Sequence, residues 1–393
     1  MNLEGGLEII LQPEEPGEPA EEVVHRVTIH STRPVGASRM LESRPVKAVL
    51  NLLPKLFTVC GMAQAVAGVR AMEMASATEV DPEVTLQRCQ LVALETIKEH
   101  LWQILLQWPK ALGQEPDQYT LAAVVKRQRQ FNSSMIQQAN PLQMGGGDGR
   151  GLSLTKQLAP LQQQLQEQLL GSSIKQWLAM QDEPALMAWM QSSSALAARY
   201  LNHVVAQGMA AAGRCERSPL PILDERIISA AMAEPAFMGL PQWDGRCHES
   251  SSLTRTTSPL LAELQARYGN GLLVRLVARL TEVCQLLTAL LDDAHTERLM
   301  LICPVPQRIN DPGIGVVEAA RGRLIHRVSL QGEQVMSYAI LAPTEWNFHP
   351  AGVAASALAS LQGDEEALQQ QAELLIAAID PCVGYQLKVV AHA

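Results

Sequence analysis

Two cysteines near opposite ends of the chain have surroundings that favour metal or redox chemistry. Cys382 stands in an Asp-Pro-Cys turn, where the proline restricts the local backbone. Cys60 comes directly before a predicted helix, and a helix N-terminus favours a thiolate electrostatically. Because the thiolate is the form of cysteine that binds metals, both residues are candidate metal ligands.

Composition and charge exclude several classes of protein. The chain has 393 residues and a formal net charge of -9; it is long enough to bury a sizeable core, and it lacks the basic balance that nucleic-acid binding needs. Its apolar stretches, such as 271–291, are interrupted by charged residues, so we predict neither a signal peptide nor a membrane span and place the protein in the cytoplasm. The seven cysteines include no C-x-x-C pair, which argues against a disulfide framework and a structural zinc site.

The first half of the chain predicts a hairpin followed by helices. Alternating apolar residues indicate two strands that form a β-hairpin within residues 1–35. Helical spacing of apolar residues then predicts a helical part over 36–211. Within it, we expect one helix to end before Pro54, because proline disfavours helical backbone in the preceding residue. We also expect a single long helix over about 184–211.

The second half alternates irregular, helical and strand-like segments. Prolines, glycines and a Ser/Thr cluster predict an irregular crossover over 212–257, with one short helix near 224–233. Helices follow in 258–293, and the period then changes to two, which predicts an antiparallel β-meander over 314–345. Residues 353–393 are expected to contain a C-terminal helix and the Asp-Pro-Cys turn.

Several segments resemble motifs of nickel–iron hydrogenase large subunits. Residues 380–388 resemble the C-terminal metal motif D-P-C-x-x-C-x-x-H, of whose three ligand-type residues only the first cysteine is kept. Residues 318–322 and 342–347 resemble the E-A-P-R-G and V-P-T-T-W-N blocks, in the same order. Near the N-terminus, 3–7 resembles the opening I-E-G-H-L strand, and 36–73 resembles R-G-x-E followed by R-x-C-G-x-C-x-x-x-H.

This resemblance implies a fold and a set of site residues. The implied fold is α+β and predominantly α, a hydrogenase large-subunit-like helical bundle with small antiparallel β-sheets near both termini, with the whole chain forming one body. In the enzymes, an arginine and a Pro-Thr segment surround the cyanide and carbonyl ligands of iron. By resemblance, Arg321 and Thr344 would donate hydrogen bonds to cyanide nitrogens, with Pro343 in the same turn. Cys60 and Cys382 would be the two metal-binding thiolates that remain.

Other residues that the enzymes use are replaced. Phe57 and Tyr385 stand where the enzymes have two further cysteines, and would exclude nickel by their bulk. Ser38 replaces the glutamate that relays protons, so hydrogenase activity is not expected. Lys388 replaces the last histidine of a magnesium site, and we predict that an ion pair between Glu4 and Lys388 takes the place of that metal.

This pattern of kept and replaced residues is similar to the HupK/HoxV family of hydrogenase maturation proteins. The resemblance implies a scaffold that holds the iron dicyanide-carbonyl unit through Cys60 and Cys382 and passes it toward the large subunit. The implied partners are maturation chaperones of the HypC/HypD type and the hydrogenase large subunit. Two alternatives stay open: a metal-free interaction module that mimics the large subunit, and a divergent structural subunit of the complex I type.

Overall fold

The computed structural model of the protein describes residues 5–13, 25–57, 59–147, 155–304 and 311–390. The described strands form two three-stranded sheets, with strand orders β2-β1-β6 and β3-β4-β5. The strands are β1 (Leu7–Pro13), β2 (His25–Ser31), β3 (Gly313–Ala319), β4 (Gly322–Gln331), β5 (Gln334–Leu341) and β6 (Tyr385–Val389).

Helices make up most of the rest. They are α1 (Val46–Leu56), α2 (Gly61–Ala75), α3 (Pro82–Ala111), α4 (Gln118–Gln138), α5 (Thr155–Gln164), α6 (Ile174–Leu178), α7 (Glu183–Ser192), α8 (Leu196–Ala206), α9 (Glu225–Ala231), α10 (Pro235–Gly239), α11 (Ser252–Arg255), α12 (Pro259–Tyr268), α13 (Leu272–Leu291), α14 (Thr296–Met300), α15 (Pro343–Asn347), α16 (Val353–Ala359) and α17 (Glu365–Ile379). A helical body with a small sheet near each terminus confirms the predicted fold class.

Two long core helices, α3 and α13, pack against each other and carry much of the buried apolar surface. The charged residues that interrupt the apolar pattern of α13 are also buried, and they are paired: Arg275 with Glu249, and Glu282 with Arg255. Within the described ranges, no helix is both long and apolar enough to span a membrane.

The N-terminal sheet ties the two ends of the chain together. Strands β1 and β2 are antiparallel as predicted, but β6 adds to β1 in parallel, which the sequence reading missed because β6 has no buried residue to mark its period. Glu4 lies outside the described residues, so the predicted Glu4 pair stays a prediction. Lys388 itself meets Glu8, with Nζ 2.5 Å from Oε1, and both side chains are well exposed. We therefore expect this contact to weaken as salt is added.

Two of the predicted helix boundaries are wrong. The predicted long helix over 184–211 is divided into α7 and α8. The division occurs at a run of serines, whose hydroxyls form hydrogen bonds with backbone carbonyls and so compete with the helix. Ser192 Oγ donates to Trp189 O, and Ser193 Oγ donates to Leu170 O. Helix α1 continues through Pro54. The proline removes one helical N–H donor, but burial of neighbouring leucines, such as Leu53, holds the last turn in place.

The irregular crossover differs from prediction, since it contains three short helices, α9, α10 and α11, rather than one. The meander forms as three antiparallel strands, and the last of them ends at Leu341. Pro343 then occupies the first turn of α15, a position where a missing N–H costs no hydrogen bond. Thr344 is therefore helical.

The second sheet is pressed closely against α2. Gly313 and Gly315 of β3 lie so near the backbone of α2 that a Cβ atom on either would overlap the carbonyl oxygens of Ala71 and Ala67. Only glycine permits this approach. The contact sets the distance between the N-terminus of α2 and the turn between β3 and β4, which are the two elements that carry Cys60 and Arg321.

Candidate metal-binding site

Four of the five predicted site residues line one cavity of about 140 Å³: Cys60, Arg321, Pro343 and Cys382. Cys60 precedes α2, Arg321 lies between β3 and β4, Pro343 begins α15, and Cys382 follows α17. Residues from distant parts of the sequence thus meet at one place. The cavity is about ten times larger than the space that one water molecule needs, so it has room for a small metal complex.

Thr344, the fifth predicted residue, is buried beside the cavity and contacts Cys382. Its hydroxyl lies 2.8 Å from Cys382 Sγ, and it accepts a hydrogen bond from the Cys382 backbone N–H at 3.3 Å. Both contacts fix the position of the thiol. In this arrangement the hydroxyl is engaged with Cys382 and is not aimed into the cavity.

Arg321 is held as a cation by two carboxylates. Its Nη1 donates to Glu99 Oε2 at 3.1 Å, and its Nε lies 3.2 Å from Asp380 Oδ1 without the alignment of a hydrogen bond. Gln103 Nε2 donates to the same Asp380 oxygen at 2.7 Å. Although burial opposes its charge, Asp380 and Glu99 hold the pKa of Arg321 above its ordinary value. The cavity therefore has a guanidinium group in one wall, and the charge of this group is balanced by two carboxylates outside the lining.

The protonation state of Cys60 differs from prediction, because the thiol is favoured over the thiolate. Burial, the Glu95 carboxylate and the Cys382 thiol together raise the pKa of the Cys60 thiol to about 12, so it is neutral near pH 7. Glu95 takes the helix N-terminus instead, accepting hydrogen bonds from the backbone N–H groups of Met62 and Ala63 at 2.9 Å each. Burial raises the pKa of Glu95 to about 7. The helix N-terminus is shared with a carboxyl group that no local sequence signal places there.

A chain of buried hydrogen bonds leads away from the Cys60 sulfur. Gln64 Nε2 lies 3.6 Å from Cys60 Sγ, Gln64 Oε1 lies 2.8 Å from His326 Nε2, and His326 Nδ1 lies 2.8 Å from the Tyr338 hydroxyl. Burial lowers the pKa of His326 to about 3, so the ring is neutral. Because the Gln64 oxygen can only accept, His326 carries its proton on Nε2 and accepts from Tyr338. Gln64 is thereby fixed with its N–H groups toward the thiol.

Replacing Gln64 by leucine should destabilise the protein. The change removes the acceptor of the buried His326 N–H, and a buried unpaired donor costs about 1–3 kcal/mol. Urea unfolding would measure this loss. The matched control is Gln163→Leu, at an exposed position of α5, which we expect to stay within about 0.5 kcal/mol of the wild type. Equal losses in the two variants would show that the hydrogen-bond chain does not contribute to stability.

The residues that replace metal ligands and the proton-relaying glutamate of the hydrogenases are distributed unequally around the cavity. Phe57 and Ser38 line it, and the Ser38 hydroxyl donates to the Tyr338 carbonyl at 2.9 Å. Tyr385, in contrast, begins β6, is 37% exposed and lies outside the lining, so the bulk at this place comes from Phe57. Among the described residues, no group of three or more histidines, cysteines or carboxylates is arranged to hold a metal ion. A metal in this cavity would have the two thiols as its protein ligands.

Sequence reasoning found the residues that line the cavity and missed those behind them. Glu95, Glu99 and His326 are all buried and hold the site from α3 and β4, and Asp380, the first residue of the Asp-Pro-Cys turn, does so from the end of α17. For Glu95, Glu99 and His326, the only sequence signal is a charged or polar residue inside an otherwise apolar period. Such a residue indicates burial with a partner, but it does not say which partner.

Comparison with known proteins places these features in one family. Residues 264–384 match the sequence model of the nickel-dependent hydrogenase family. The hydrogenase expression/formation protein HoxV of Cupriavidus necator is 32% identical over 386 residues, and the match covers 92% of each chain. The hydrogenase expression/formation protein HupK of Rhizobium leguminosarum bv. viciae is 30% identical over 371 residues, again with 92% of each chain covered.

The fold is that of a solved hydrogenase. The Ni-Fe-Se hydrogenase of Desulfovibrio vulgaris Hildenborough superimposes with a TM-score of 0.62 over 96% of this chain and 98% of the hydrogenase chain, at 15% sequence identity. Identity this low establishes a shared fold and carries no conclusion about activity.

Proposed function

Because the chain belongs to the HoxV/HupK family of hydrogenase expression/formation proteins, we propose that it is a non-catalytic scaffold in the maturation of a nickel–iron hydrogenase. In this proposal, it holds the iron dicyanide-carbonyl unit in the cavity between Cys60 and Cys382 and passes it toward the large subunit. Its cargo is the iron unit, and nickel is not expected.

The convergence of Cys60, Cys382, Arg321 and Pro343 on one cavity carries the proposal. Low-spin ferrous iron with cyanide and carbonyl ligands accepts soft thiolates, and two thiols from opposite ends of the chain face the same small space. Two protein ligands suit a carrier better than four, because the iron unit has to leave again.

The charges of the cavity suit the diatomic ligands. Cyanide nitrogens carry negative charge and accept hydrogen bonds, which the Arg321 guanidinium can donate. Carbon monoxide needs an apolar wall, and Pro343 supplies one. Thr344, to which the family resemblance assigns a hydrogen bond to cyanide, would act instead by orienting Cys382 through the contacts of its hydroxyl.

Iron binding would be coupled to loss of a proton. The Cys60 thiol is neutral near pH 7, and a metal binds the thiolate, so the iron unit displaces the proton. Gln64 donates toward the sulfur and would stabilise the negative charge that forms. Partners of the HypC/HypD type would deliver the iron unit, and the large subunit would receive it, all in the cytoplasm.

The test is an anaerobic purification from cells that contain the hydrogenase maturation machinery. We expect elemental analysis to find iron without nickel, and infrared spectra to show cyanide and carbonyl stretching bands. Protein with no iron and no such bands would contradict the carrier proposal. Adding a nickel salt to the purified protein serves as a control, because retained nickel after gel filtration would contradict the assigned metal preference.

A metal-free interaction module is the second candidate, and one observation favours it. The mouth of the cavity carries exposed apolar side chains, Val35 at 38% and Met40 at 43%, and such residues occur where a protein partner docks. Absence of iron together with retained binding of a maturation chaperone would support this role. The curated relatives named above are expression/formation proteins, so the complex I-type alternative has no support from them.

A further inference from the structure

A second and larger cavity, of about 380 Å³, lies on the outer face of β3 and β4. Helices α13 and α14 and the segment before α9 complete its walls, which are mainly aliphatic. Its volume falls in the range of small-molecule pockets, roughly 300–1,000 Å³. Cys60 and Cys382 do not line it, so it is distinct from the candidate metal site.

Two of the four arginines in this cavity are neutralised by carboxylates. Arg255 binds Glu282 through two hydrogen bonds of 2.6 and 2.9 Å. Arg323 Nε donates to Glu318 Oε1 at 2.6 Å. These two pairs need no further anion.

The other two, Arg70 and Arg298, have no carboxylate within 4 Å among the residues that the structure describes. Each donates to a backbone carbonyl, Arg70 to Pro304 and Arg298 to Arg255, while the Nε atom of each is buried without a hydrogen-bond partner. Arg70 is only 7% exposed. The third carboxylate of the lining, Glu225, also has an interaction partner. Glu282 acts on the partly buried Arg298 electrostatically from beyond 4 Å, so Arg70 is the more deeply buried and less compensated cation of the two. Burying a cation without a paired carboxylate is costly.

We infer that this cavity binds a small amphipathic anion, a carboxylate on an apolar chain. The carboxylate accepts hydrogen bonds from Arg70 and Arg298, whose planar guanidinium groups suit carboxylate oxygens. The apolar chain lies against aliphatic residues such as Leu286, Ile314 and Ile325. Ile222 and Leu301, exposed by 84% and 62% at the mouth, would be covered by the ligand. Both a free fatty acid and the C-terminus of an apolar peptide have this chemistry.

Isothermal titration of the full chain tests the inference, with octanoate, octanol and octylammonium as probes. We expect octanoate to bind at least about tenfold more tightly than octanol, because one charge-assisted hydrogen bond contributes about that much. Octylammonium should bind least. A second arm compares a short peptide ending in two leucines with its C-terminal amide. Tighter binding of the free-acid peptide than of octanoate identifies a peptide terminus as the source, and the reverse identifies a free acid.

Arg298→Gln should weaken octanoate binding at least about tenfold. The matched control is Arg226→Gln, which removes the same charge from an exposed neighbouring position outside the lining and should leave binding unchanged. Ile222→Asp is a second test variant. Its position at the exposed mouth tolerates substitution, and the new carboxylate should repel the anion. The inference is overturned if octanol binds as tightly as octanoate, if neither octanoate nor the peptide binds, or if the Arg226 and Arg298 variants behave alike.

Discussion

Replacing either Cys60 or Cys382 by serine should remove iron and the cyanide and carbonyl bands from protein purified anaerobically with its maturation partners. Serine has nearly the shape of cysteine but offers a hard hydroxyl that keeps its proton, and soft low-spin iron prefers a thiolate. With two protein ligands in total, loss of one leaves the iron unit with a single thiolate. We therefore expect iron content to fall well beyond the roughly 10–100-fold cost of disturbing an outer-shell residue.

Cys247→Ser provides the matched control. Cys247 is partly buried like Cys60 and Cys382, but its sulfur contacts His349 Nδ1 at 3.3 Å and lies away from the cavity. This variant should keep both iron and infrared bands. If the bands persist in both cavity variants, the ligand assignment is wrong, and if all three variants lose them, the loss reflects a general effect of removing a thiol.

The residues that line the candidate metal-site cavity could be predicted because each sits in a short motif that resembles one of the hydrogenase large subunits. Cys60 precedes a helix, Arg321 lies in a turn between two strands of clear period two, and Cys382 follows a helix and a proline. Local signals of this kind can be recognised in the sequence, since they depend only on neighbours in the chain. That the motifs meet in space was predicted from the family resemblance, which supplies the fold that periodicity alone leaves undetermined.

The electrostatics of the site could not be predicted in this way. A helix N-terminus favours a thiolate, yet burial, together with the Glu95 carboxylate that reaches this terminus from α3, raises the pKa of the Cys60 thiol instead. Both causes depend on tertiary packing around the N-terminus of α2. His326 is a similar case. The period-two pattern of β4 predicts that its side chain is buried, but nothing in the sequence indicates that it forms a hydrogen bond with Gln64.

Glu282→Gln should cause the largest loss of stability among the single changes considered. The Glu282 carboxylate is 3% exposed, binds Arg255 through two hydrogen bonds and lies 2.8 Å from His100 Nε2. The amide keeps the shape but removes the charge, so the buried Arg255 cation loses its hydrogen-bonded carboxylate and keeps only the more distant Glu318, 3.9 Å away, at a cost of about 3 kcal/mol. Urea unfolding at pH 7 would measure it. The exposed Glu297→Gln in α14 is the matched control and should stay within about 0.5 kcal/mol of the wild type.

The Glu282 carboxylate should also affect how the free energy of unfolding depends on pH in the acid range. Although burial alone would raise it, Arg255 and His100 hold the pKa of Glu282 well below its ordinary value of about 4.3. A depressed folded-state pKa means that the unfolded chain binds the proton more readily, so this contribution is complete above about pH 5 and is lost as the pH falls through the folded-state pKa. Burial also lowers the pKa of His100, which acts in the same direction. We therefore expect the free energy of unfolding to fall more steeply from pH 5 to pH 3 in the wild type than in Glu282→Gln. Parallel curves would mean that the Arg255 pair contributes nothing that depends on the charge of Glu282.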